Sequence, residues 1–83
     1  MRPAESGELI ATLWRLTGDN ATIACLVYRM SDGFELAVES PAATIVRERF
    51  MLEPRALSRA EALRQSLRRR GWRDAPAPSG GAG

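Results

Sequence analysis

The most constraining stretch is Thr22 to Ser40, in which two runs of alternating residues flank Ser31-Asp32-Gly33. Ile23, Cys25 and Val27 alternate with Ala24, Leu26 and Tyr28 in the first arm. Phe34, Leu36 and Val38 alternate with Glu35, Ala37 and Glu39 in the second. Asp-Gly tolerates the positive φ angles of a tight hairpin, and a period of two sends successive side chains to opposite faces, so the stretch predicts an antiparallel hairpin. With Asp32-Gly33 as the loop, Val27 falls opposite Val38 and Arg29 opposite Leu36.

The flanking segments extend this hairpin. In Leu9 to Thr17, Ile10, Thr12, Trp14 and Leu16 alternate with Ala11, Leu13 and Arg15, and Gly18-Asp19-Asn20 has the composition of a turn. A two-residue Asp19-Asn20 loop pairs Leu16 with Ile23 and Trp14 with Cys25. After Ser40-Pro41-Ala42, the segment Ala43 to Met51 reads as a fourth strand. A three-residue loop sets Val46 opposite Val38 and Glu35 opposite Arg49, whereas a two-residue loop sets Glu35 against Glu48. Cross-strand charge pairing favours the first.

Pro54 ends the sheet because it lacks the amide proton a ladder needs. Ser58-Arg59-Ala60-Glu61 fits a capping box, and Ala60, Leu63 and Leu67 recur at helical spacing. Gly71 is placed to close that helix in the left-handed conformation, with Trp72 folding back on Leu67. The expected architecture is α+β: a four-stranded antiparallel meander followed by one C-terminal helix packed on one sheet face. Residues 8–72 form the single domain, after a flexible lead-in over 1–7. Residues 73–83, with Ala-Pro-Ala-Pro and Ser-Gly-Gly, are read as a disordered tail.

Composition narrows the chemistry. All 12 basic residues are arginine and histidine is absent, which removes the commonest general base and metal ligand. The lone Cys25 lies in the apolar alternation of a central strand, as a buried hydrophobe and not a thiolate. No paired carboxylates or glycine-rich phosphate loop occur, so neither an enzyme nor a cofactor or metal site is expected. One unpaired cysteine, and the lack of an export signal or an apolar run long enough to span a membrane, point to the cytoplasm.

Two surfaces remain as candidates. A single helix covers one sheet face, leaving the other with Leu13, Leu26, Tyr28 and Ala37 at its centre and Arg15, Glu35 and Glu39 at its rim. That half-apolar face suits self-association as a homodimer or docking on a partner protein. The alternative is nucleic-acid binding through Arg64, Arg68, Arg69, Arg70 and Arg73. Cations at a helix C-terminus also serve the macrodipole, without any ligand.

Asp32-Gly33-Phe34-Glu35-Leu36, then a short strand and a helix ending Arg69-Arg70-Gly71-Trp72, resembles a pattern in small uncharacterised bacterial proteins with a Gly-aromatic-Glu-Leu strand and a helix closed by Gly-Trp. The resemblance implies a bacterial origin and a ββββα fold, and carries no activity. The same element order occurs in Whirly-like single-stranded DNA-binding folds, an analogy of fold alone.

Overall fold

The computed structural model describes residues 7–18 and 20–75. Four antiparallel strands form a meander: β1 (Glu8–Thr17), β2 (Thr22–Met30), β3 (Gly33–Glu39) and β4 (Thr44–Phe50). Helix α1 (Glu53–Arg69) follows and packs on one face, and a two-residue strand, β5 (Arg73–Asp74), returns to the outer edge of β1. The sheet order is β4-β3-β2-β1-β5. The fold is α+β, with a fifth strand beyond the four expected.

The core lies between the sheet and α1. Trp14, Leu16, Ile23, Cys25, Val27, Leu36 and Val38 are buried against Ala56 and Ala60, with Leu63, Leu67 and Trp72 packed around them. Alanines at 56 and 60 keep the helix surface low where the Trp14 ring lies. The indole Nε1–H donates to the Ala60 carbonyl at 2.9 Å, so the largest core side chain has its polar atom satisfied.

Leu16 pairs with Ile23 and Trp14 with Cys25, as the two-residue turn requires, and the Gly18 amide donates to the Ala21 carbonyl at 2.8 Å across it. Asp19 itself lies outside the described residues, as do 1–6 of the lead-in and 76–83 of the tail. Beyond Trp14, strict alternation fails. Bulges at Leu13 and Ile10 leave Thr12 paired with Leu26 and Ala11 with Val27. A bulge lets two successive residues face one side, so Ile10, Leu13 and Ala11 all pack against the core. Leu13 therefore leaves the open face on which alternation placed it, and Thr12 takes its position.

The central hairpin also differs in register. Met30 pairs with Gly33, Val27 with Leu36 and Arg29 with Phe34, so the loop is Ser31-Asp32 and not Asp32-Gly33. The shift is two residues, which keeps every side chain on its expected face. Its cause is Gly33, held at φ 142°, where a Cβ would lie 2.4 Å from the Phe50 carbonyl oxygen. Glycine is needed as the first residue of β3, beside the end of β4, and not within the turn. On the other side, Val38 pairs with Val46 and Glu35 with Arg49, the three-residue register.

The helix starts earlier than its serine suggests. Pro54 sits in the first turn, where a missing amide proton costs nothing, and Leu52 is the N-cap without a side-chain cap bond. Ser58 is consequently mid-helix, and the Ser58–Glu61 spacing is not a cap. The C-terminus follows the expected Schellman pattern: Trp72 N–H donates to Leu67 O at 3.1 Å and Gly71 N–H to Arg68 O at 3.0 Å, with Gly71 at φ 106°. Arg73 and Asp74 then pair with Thr17 and Leu16, and the Ala75 amide donates to Arg15 O at 3.0 Å. Residues 73–75, read as part of a disordered tail, are instead bonded to β1.

Candidate interaction face

The strand registers arrange the uncovered face in three rows. Opposed residues in antiparallel strands share a face, so Arg15, Ala24, Glu39 and Thr44 form one row across β1–β4. Thr12, Leu26, Ala37 and Arg47 form the next, and Leu9, Tyr28, Glu35 and Arg49 the third. Of the expected contact residues, Arg15, Leu26, Tyr28, Glu35, Ala37 and Glu39 come together here, and Leu13 does not. Leu9, 53% exposed, joins them. Simple alternation also puts Leu9 on the set of Ala11 and Arg15, and the two β1 bulges together restore that parity, so its place at the end of the strand opposite Tyr28 agrees with the period of two.

Polar groups on the face are organised by the side chains around them. Tyr28 Oη donates to Glu39 Oε2 at 3.4 Å. Because Tyr28 and Glu39 lie two rows apart, the ring must pass over the middle row, which explains why Ala37 is 2% exposed on a face with no helix above it. Burial, then the neighbouring Glu39 charge and its hydrogen bond, push the Tyr28 phenol above its ordinary pKa. Arg47 Nε lies 3.2 Å from Glu35 Oε2, a diagonal pair, while Arg49, directly opposite Glu35, turns to Asp32 at 3.0 Å.

The arginines at the helix end are less of a unit than their spacing implies. Arg64 makes a two-pronged contact with Asp74, Nε to Oδ1 at 3.0 Å and Nη2 to Oδ2 at 2.9 Å, and reaches Glu61 at 3.2 Å. These contacts, the Arg64 hydrogen bond foremost, hold the Asp74 carboxyl below its ordinary pKa. Arg68 lies 3.8 Å from the same carboxylate. Arg69, Arg70 and Arg73 are exposed and make no ion pair among the described residues. Asp74 is the residue sequence reasoning missed, since it falls at the start of a segment with tail composition.

Burial pushes the Cys25 thiol up to about 12, so it is protonated at neutral pH. Among the described residues, no group of three or more acidic or cysteine side chains is placed to hold a metal ion. No helix among them is long and apolar enough to cross a membrane. Comparison with protein-family models, with curated proteins and with solved structures finds no match.

Proposed function

We propose that this chain is a non-catalytic interaction domain that self-associates by packing its uncovered sheet face against the same face of a second copy. The observation that carries this reading is the row Arg15–Ala24–Glu39. A two-fold axis parallel to β2 superposes each row on itself and exchanges the β1 and β3 sides. It therefore lays Arg15 of one copy over Glu39 of the other, with the small Ala24 between them at the axis. The same operation brings Leu26 against Leu26 and Tyr28 against Tyr28, so the face is complementary to itself in both charge and apolar character.

Magnitude sets the kind of dimer. Four strands about 4.8 Å apart, each presenting roughly 25 Å of length, offer on the order of 500 Å² per copy. A standard interface buries about 800 Å² per partner, so the association is reversible and concentration-dependent. Leu26→Asp tests it. Burying two aspartates against each other at the axis abolishes the dimer, while the monomer stays folded because Leu26 lies outside the core cluster. Loss of the circular dichroism spectrum in this variant, or a dimer of unchanged strength, refutes the reading.

A second reading, nucleic-acid binding, is favoured only by Arg69, Arg70 and Arg73, since Arg64 and Arg68 are held by Asp74. It requires an affinity for single-stranded DNA that falls with salt with a slope near three phosphate contacts.

A further inference from the structure

The outer edge of β4 pairs with no described strand, whereas the opposite edge of the sheet ends in the short β5. Beside that free edge, where β4 passes into α1, lies a cleft of about 570 Å³ lined by Phe50, Met51, Leu52, Arg55, Arg59 and Ala62. Met51 and Leu52 are 80% and 60% exposed. A seven-residue edge with an apolar cleft at its end has the form that accepts an added strand: backbone groups give pairing, and the cleft takes a side chain.

A second copy is a poor occupant of this edge. A two-fold axis normal to the sheet sets a residue of β4 opposite itself. Centred on Arg47 it opposes two arginines; centred on Glu48 it opposes two glutamates and sets Arg47 against Arg49. Centred on Val46 it places the bulged Ile45 of both copies beside the axis, where the ladder is broken.

Charge instead defines a different strand. Arg47 and Arg49 lie on the uncovered face of the edge, 62% and 51% exposed, and each pairs with one carboxylate of its own sheet, Arg47 Nε with Glu35 at 3.2 Å and Arg49 Nη1 with Asp32 at 3.0 Å. A guanidinium has five N–H donors, so both keep donors for a carboxylate across the new ladder. Phe50 faces the helix side, where it packs against the core. In antiparallel pairing, a partner residue opposite Phe50 therefore projects toward the cleft, and the residues one and three places later meet Arg49 and Arg47.

We infer that the β4 edge is a docking site for an extended acidic segment of another protein, with the pattern apolar-acidic-any-acidic, added antiparallel to β4. Arg55, which makes no ion pair among the described residues, adds to the positive field at the cleft. This site adjoins the face proposed for self-association, since Arg47 and Arg49 end two of its rows, but the two-fold along β2 puts the outer edge of β4 at the margin of the dimer, where its backbone groups are not covered.

The test is titration of the full chain with the blocked peptide Thr-Phe-Glu-Thr-Glu-Thr, followed by amide chemical shifts and hydrogen exchange. The expected result is saturable binding, new protection of β4 amides, and no binding of the same peptide with both glutamates replaced by lysine. Arg47→Glu with Arg49→Glu weakens binding at least about tenfold, the sum of two reversed cross-strand pairs. Ala62→Glu, an exposed helix position, weakens it without touching the sheet. Leu26→Asp leaves it unchanged, which separates this site from the dimer. No saturation by about 1 mM peptide, equal binding of the lysine peptide, or shifts outside β4 and the cleft overturn the proposal. So does a dimer broken by the double arginine variant but not by Leu26→Asp, because a second copy would then occupy the edge.

Discussion

Replacing Trp14 with phenylalanine removes a buried side-chain hydrogen bond that joins the core of the sheet to the helix. The indole N–H to Ala60 O bond, 2.9 Å and buried, contributes about 0.5–1.5 kcal/mol net. Truncating the bicyclic ring also withdraws roughly 50 Å² of apolar surface, worth about 1.3 kcal/mol at about 25 cal/mol/Å². The sum is about 2–3 kcal/mol. A domain of this size has a total stability of roughly 4–12 kcal/mol, so the loss is a substantial fraction of it. At about 4–8 °C per kcal/mol, the midpoint of thermal unfolding drops by roughly 10–20 °C. Urea unfolding followed by far-ultraviolet circular dichroism is the suitable assay, because Trp14 is itself one of the two fluorescent indoles. The midpoint should fall with the urea dependence unchanged. A loss below about 0.5 kcal/mol would show that the Trp14–Ala60 contact does not hold α1 to the sheet.

Three further outcomes follow from the same geometry. Gly33→Ala should destabilise the domain by about 2 kcal/mol or more in the same urea assay, since a methyl group would meet the Phe50 carbonyl at 2.4 Å and φ 142° is strained for any L-residue; a neutral result would refute the β3–β4 approach. Cys25, buried with its thiol raised to about 12, should resist an aromatic disulfide reagent at pH 8 and react only in denaturant, and prompt labelling of the native chain would place it outside the core. The depressed Asp74 carboxyl contributes stability that is present above its unfolded value of 3.8 and lost as pH falls through its folded value. Exchange protection of the Ala75 amide should therefore decline in acid, and Asp74→Asn should remove that acid dependence; an unchanged profile would mean that the Arg64 pair does not hold β5.

What was legible in the sequence, and what was not, divides along physical lines. Faces in β2 and β3 were readable because a two-residue error in turn assignment conserves parity, so Val27 and Leu36 reach the core in either register. The hydrogen-bond register was not readable from Asp32-Gly33 alone, since the need for glycine comes from Phe50, 17 residues away in sequence. In β1 the run Ile10-Ala11-Thr12-Leu13-Trp14 has apolar residues on both alternating sets, and packing decides where the chain bulges. The helix start was hidden because Pro54 serves equally as a sheet stop and a first-turn residue, and because Ser58 with Glu61 has the same spacing inside a helix as at its cap. Gly71 and Trp72 were legible because their roles are local. β5 was not, because two residues carry no period, and it is fixed by Arg64 from the helix.

The rows of the uncovered face make one demand that no monomeric arrangement shares: Arg15 and Glu39, on opposite sides of β2 in one copy, must meet across the two-fold. Light scattering from about 10 μM to about 1 mM, at high salt to suppress long-range effects, reads this directly. The wild-type mass should rise with concentration from 9.1 kDa toward twice that value. Arg15→Glu should hold it at the monomer, and Arg15→Glu combined with Glu39→Arg should restore the dimer. A wild-type chain that stays at 9.1 kDa throughout, or a double variant that dimerises no better than the single one, would contradict the self-association of this face.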